Sequence, residues 1–157
     1  MTERGITILF FCILALSSSG CAGQSGNDFV SDSLRRGTQL EQQGQYFRAA
    51  EAYLVVLGSQ PRNQKAHANL SRIIDQATTE KLDLAAALET ELRLEEAIAE
   101  VEAARRLLQR SGSFNVESGQ ASLVDSRRSL LVNRRVEALL MAAERAREEN
   151  LWSAALA

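Results

Sequence analysis

Gln43-Gly44-Gln45-Tyr46-Phe47-Arg48-Ala49-Ala50-Glu51-Ala52-Tyr53 is the stretch on which the fold of this 157-residue chain turns. Gly44 can take positive φ and so end a helix without the penalty that a Cβ would add. After it, Ala49, Ala52, Tyr53, Val56 and Leu57 follow the i, i+3, i+4, i+7, i+8 spacing of one apolar helix face. Pro61 cannot continue that helix and stops it. Upstream, Gly37 and Leu40 sit on a first helix, and the missing side chain of Gly37 lets the second helix approach closely. Ala49 is small where the two helices must cross, and Tyr53 is placed to fill the groove towards the next unit. The local reading is a helix, a tight turn and an antiparallel helix.

The positions Gly37, Leu40, Gly44, Tyr46, Ala49, Tyr53, Val56 and Pro61 within residues 30–63 resemble a tetratricopeptide repeat, a family of helix-turn-helix units of about 34 residues. A second unit over 78–111 is matched by Ala85, Leu88, Leu92, Leu94, Ala97, Val101 and Ala104, without the glycine and proline of the first. Ala143, Ala146, Asn150, Trp152 and Ala155 fit the start of a third, whose turn falls at Glu149–Trp152 and which is left unfinished. The crossing alanines are 48 residues apart (97 minus 49) and then 58 (155 minus 97), so the repeats are irregular. The resemblance implies an all-α, helix-turn-helix solenoid with repeat-packing residues Gly37, Gly44, Tyr46, Ala49, Tyr53 and Pro61. It also implies a peptide-binding groove on the first helix, at Ser31, Leu34, Thr38, Glu41 and Gln42. A generic helical bundle is the plainer reading of the same periodicity.

The rest of the chain is helical in composition and pattern. Only one Pro and nine Gly interrupt it, and good helix formers dominate. Ala66, Leu70, Ile73, Ile74 and Ala77 form one stripe. Leu94, Ala97, Ile98, Val101, Ala104 and Leu108 form another, and Val132, Val136, Leu139, Leu140, Ala143 and Ala146 a third. Each is too narrow to stand alone and needs a neighbour. The Gly- and Ser-rich stretch 111–126 predicts a loop or linker between a repeat region at 33–110 and C-terminal helices at 127–157.

The N-terminus is of a different character. The apolar run Ile6–Leu16 is too short to span a bilayer, has the length of a signal-peptide core, and is followed by small residues. Ser18-Ser19-Gly20-Cys21 resembles the lipobox of bacterial lipoproteins, with Ser18 standing where the family prefers Leu. That resemblance implies a signal peptide at 1–20, a lipid on Cys21, and a small, polar tether over 21–32. It further implies attachment to the outer membrane, facing the periplasm, because no Asp follows the cysteine. An ordinary signal peptide cut near Ala22 or Gly23, giving a simply secreted periplasmic protein, and a single uncleaved anchor are alternative readings of the same residues.

No catalytic constellation is legible. His67 is the only histidine, and Cys12 lies inside the apolar run, so a zinc site is not expected and no cofactor is called for. A net charge of −2, with 18 basic and 20 acidic residues, offers no clustered basic face for nucleic acid. The pairs Arg105-Arg106, Arg127-Arg128 and Arg134-Arg135 lie near acids and are expected to form ion-paired helix faces. The expected function is therefore that of a non-enzymatic, membrane-anchored adaptor binding protein partners of the cell envelope. The alternative is a structural lipoprotein whose helices self-associate as a homo-oligomer.

Overall fold

The computed structural model describes residues 25–155, and the side chains of residues 27–149. Residues 1–20, expected to be a signal peptide, and Cys21 lie outside the described residues. Five helices follow in order: α1 (Ser25–Gln42), α2 (Tyr46–Ser59), α3 (Gln64–Thr90), α4 (Leu94–Gly112) and α5 (Ala121–Ala155). No strand occurs among the described residues, so the chain is all-helical there. Helix α1 begins inside the stretch expected to be a tether, and Val30 is already buried. The loop expected over 111–126 shrinks to Ser113–Gln120. Helix α5 runs unbroken through 149–152, where a turn was expected; no Gly or Pro between Ala121 and Ala155 interrupts it.

Two hairpins share one plan. At the first turn, the Gln45 N–H donates to the Leu40 carbonyl at 2.9 Å, and the Gly44 N–H to that of Glu41 at 2.9 Å. Gly44 takes φ +73°. At the second turn, Arg93 donates to Leu88 at 2.9 Å and Leu92 to Glu89 at 3.0 Å, with Leu92 at φ +61°. These are the paired bonds that satisfy the last carbonyls of a helix. Leu92 therefore stands where Gly44 stands, 48 residues later (92 minus 44), the interval that separates Ala49 and Ala97. Both alanines are fully buried.

The two hairpins reach close helix contact by different side chains. A Cβ on Gly37 would lie 2.5 Å from the Tyr53 ring, which is fully buried. In the second hairpin the corresponding residues are Ala85 and Val101, also fully buried. The Gly–Tyr pair of the first crossing is replaced by an Ala–Val pair, closer to each other in size.

Two cores result. The first gathers Val30 and Leu40 of α1, Tyr53, Leu54 and Leu57 of α2, and Leu70, Ile73 and Ala77 of α3, closed by Leu107 and Val116. The second gathers Ala85 and Leu88 of α3, Ala97, Val101 and Ala104 of α4, and Val124 and Leu131 of α5. Helix α3 belongs to both, and Leu108 touches both. Between them Thr78 is fully buried, its hydroxyl satisfied by the Ile74 carbonyl at 2.8 Å.

Replacing Gly37 by Ala removes a helix glycine, a gain of about 1 kcal/mol, but drives a methyl into a buried ring. The clash prevails, and a net loss of roughly 1–2 kcal/mol is expected. In a chain that already carries Tyr53→Val, as the second hairpin does at Val101, Gly37→Ala should become neutral or stabilising. Urea unfolding of the four-member cycle reads this coupling; additive losses would contradict the packing described.

Candidate functional site

Helices α1, α3 and α5 lie side by side, linked by ion pairs, with α2 and α4 behind them. The Glu41–Arg72 pair sets the last turn of α1 beside the first third of α3. Ser31, Leu34, Thr38 and Gln42 share one open groove with Arg35 of α1 and Lys65 of α3. Four of the five positions expected to form a binding groove are thus together. Their spacing of three and four residues puts them on one helix face.

Glu41, the fifth, is used differently. One of its oxygens accepts from the Tyr53 hydroxyl at 3.0 Å, and the other pairs with Arg72 of α3. The Arg72 guanidinium, helped by the Tyr53 hydroxyl, holds the Glu41 carboxyl below the ordinary carboxylate range, although burial works against it. Burial pushes the Tyr53 phenol up. Tyr53 was expected to fill the groove towards the next unit. Its ring lies against Gly37 of its own hairpin and in one core with Leu70, Ile73 and Ala77 of α3, and a polar link to α3 runs through its hydroxyl, Glu41 and Arg72.

The remaining expected packing residues fall in or beside the first core. Tyr46 is half-buried against it, Ala49 is at the crossing, and Pro61 lies exposed just after α2 ends at Ser59. The first turn of α2 has no side-chain cap of its own. The Phe47 N–H donates to Glu80 Oε2 of α3 at 2.9 Å, and Lys81 lies over the Phe47 ring at 4.4 Å from its centroid. A carboxylate at a helix N-terminus is favoured by the unpaired amides there.

Of the arginines expected on ion-paired faces, Arg105 pairs with Glu102 and Asp125, Arg106 has no ion pair among the described residues, and the four on α5 are all paired. Glu89, at the end of α3, accepts from Arg127 at 2.5 Å and also pairs with Arg134. Arg128 pairs with Glu102 and Arg135 with Glu95. The guanidinium of Arg128 lowers the Glu102 carboxyl. His67 is half-buried, and its Nε2 donates to the Phe114 carbonyl at 3.1 Å, fastening the α4–α5 loop to α3. Phe114 and Val116, which a loop reading left out of the core, pack beside or within the first cluster.

Among the described residues, no three His, Cys, Asp or Glu side chains are grouped to hold a metal ion. No described helix is long and apolar enough to cross a membrane. The chain matches no protein-family model, no curated protein and no solved structure.

The Glu41 pairing has a pH signature. Its folded-state pKa lies below the unfolded one, so its contribution is complete above the unfolded value near 4.5 and is lost as pH falls through the folded value. The stability difference between the parent and Glu41→Gln should be constant around neutrality and shrink at acid pH. A difference that stays flat to strongly acid pH would contradict the assignment.

Proposed function

We propose that this chain is a lipid-anchored adaptor of the bacterial cell envelope, with tetratricopeptide-type hairpins that hold a segment of a partner protein and no catalysis of its own. The observation that supports it best is the α1 groove. Ser31, Leu34, Thr38 and Gln42 line it together, with Lys65 of the next hairpin on its far wall. Its lining mixes an apolar floor at Leu34 with hydrogen-bonding and cationic groups at the rim, a combination suited to an extended or helical peptide. The 48-residue recurrence of the turn supports a repeat origin for the two hairpins. For the anchor, the support is the run Ile6–Leu16 followed by Ser19-Gly20-Cys21, with a stable hold on the membrane requiring more than one acyl chain.

The second reading, a structural lipoprotein that only self-associates, is favoured by one observation: every α5 residue from Asn133 to Glu149 is exposed.

Cys21→Ser should move the protein from the membrane pellet to the soluble fraction. An unmodified mature mass in the parent, with unchanged fractionation, would defeat the anchor. For the groove, Ser31 and Gln42 are exposed, so Ser31→Arg with Gln42→Arg should fill it while leaving the helical circular dichroism intact. Chemical cross-linking in solubilised envelopes should then lose a discrete hetero-complex seen with the parent. Finding only homo-oligomers, or a hetero-complex indifferent to the double substitution, would favour the second reading.

A further inference from the structure

The charges of α4 are used differently along its length. Its acids lie in the first half and each has a partner: Glu95 pairs with Arg135, Glu96 with Arg93, Glu100 with Lys81 and Glu102 with Arg128. After Glu102 the helix carries no acid, only Arg105, Arg106 and Arg110. Arg105 is taken by Glu102 and by Asp125 of α5. Arg106 and Arg110 are exposed and have no ion pair among the described residues. The open carbonyls of a last turn favour a cation, which accounts for Arg110. Arg106 lies one turn earlier and has no such reason to be there.

A cavity of about 230 Å3 opens beside these two arginines, lined by Phe47 and Glu51 of α2 and by Ala103, Arg106, Leu107 and Arg110 of α4. Its apolar lining is firmly held. Leu107 is buried in the first core, and Phe47 and Ala103 are half-buried. Phe47 is fixed through its N–H on Glu80 and by Lys81 over its ring. Lys81 is itself paired with Glu100 and adds no free charge. Glu51 is the sole acid of α2. The cavity shares no residue with the α1 groove.

Size and charge together say what such a cavity takes. Small-molecule sites begin at roughly 300 Å3, so this one suits a single apolar side chain of a larger partner, the usual anchor of an interface. Arg106 and Arg110 are four residues apart on one helix, about 6 Å along its axis. Two carboxylates four apart on a partner helix, or two apart on an extended segment, match that spacing. Each guanidinium can hold a carboxylate through two parallel N–H···O bonds. Glu51 separates the anionic partners. A nucleic-acid backbone or an anionic lipid surface is negative throughout and would set its own charge against Glu51. A polypeptide changes charge from residue to residue and can offer Glu51 a backbone N–H or a cation.

We propose that the α2–α4 cavity is a second docking site, for an acidic segment of a partner protein. An apolar side chain of that segment enters beside Phe47, Ala103 and Leu107, and two flanking carboxylates pair with Arg106 and Arg110.

The proposal does not rest on the α1 groove, and its test keeps the two apart. The probes are fluorescein-labelled peptides with a Leu or Phe flanked by two Glu four residues apart in an alanine-rich helical frame, and the same peptides with Lys for Glu. Fluorescence polarisation with the full chain in a fixed detergent should show saturable binding of the Glu peptides, about tenfold or more tighter than of the Lys peptides. Arg106→Glu with Arg110→Glu should reverse that preference, which loss of folding cannot do, and should leave the circular dichroism unchanged because both side chains are exposed. Glu peptides with Ser in place of the apolar residue should bind about tenfold more weakly or worse. Neither a single-stranded oligonucleotide nor phosphatidylglycerol added to the detergent should displace the Glu peptides. Ser31→Arg with Gln42→Arg should leave their Kd unchanged. Absence of saturable binding, a preference indifferent to the arginine reversal, indifference to the apolar residue, or displacement by the oligonucleotide or the lipid would overturn the proposal.

Discussion

One helix has to bury two apolar surfaces, and the architecture follows from that constraint. Helix α3 spans about 40 Å, and its stripe is covered by α1 and α2 along its first half and by α4 and α5 along its second. The 48-residue interval between the two turns is the consequence: α3, at 27 residues, runs on past the first core to serve the second before its turn. Antiparallel α4 then runs back along α3, so that Leu107, Leu108 and Val116 reach the first core. His67 fixes the far end by holding the Phe114 carbonyl. Glu89 fixes the near end by taking two arginines of α5. A partly buried carboxylate that answers two guanidinium groups is costly to leave unpaired, so it orients α5 more firmly than the exposed pairs around it do.

Much of this plan was legible in the residues. The stripes at Ala49–Leu57, Ala66–Ala77 and Leu94–Leu108 became packed faces because 3.6-residue periodicity states directly which side of a helix avoids water. Gly44 announced its turn because positive φ favours glycine. Leu92 announced nothing, although it adopts the same backbone conformation. Its turn is imposed by the two carbonyl bonds and the packing of Ala97 and Val101, which together outweigh a local penalty on the order of 1 kcal/mol. The unbroken run of α5 was hidden for the opposite reason. Asn150 resembles a turn residue, but a helix with no Gly or Pro has nothing to stop it.

The shared face of α1 was legible in the residues, and its chemistry was not. Spacing alone places Ser31, Leu34, Thr38 and Gln42 on one face, since three- and four-residue steps return to the same side of a helix. It could not tell that Glu41 turns inward, because that depends on Tyr53 and Arg72 arriving from two other helices. Lys65 is likewise brought in by the fold from 23 residues away along the chain (65 minus 42). The exposed half of α5 shows the limit of periodicity in another way. An apolar stripe demands a partner without saying whether that partner lies in the same molecule.

The shared helix is most directly tested by native-state hydrogen exchange along α3. If one rod unites two cores, its amides beyond the first turn should open together, with protection continuous across Ala77, Thr78 and Lys81 up to the second turn. Protection that divides near Thr78, with the first half exchanging alongside α1 and α2 and the second alongside α4 and α5, would contradict the account. It would mean two hairpins joined end to end rather than one body built on a common helix.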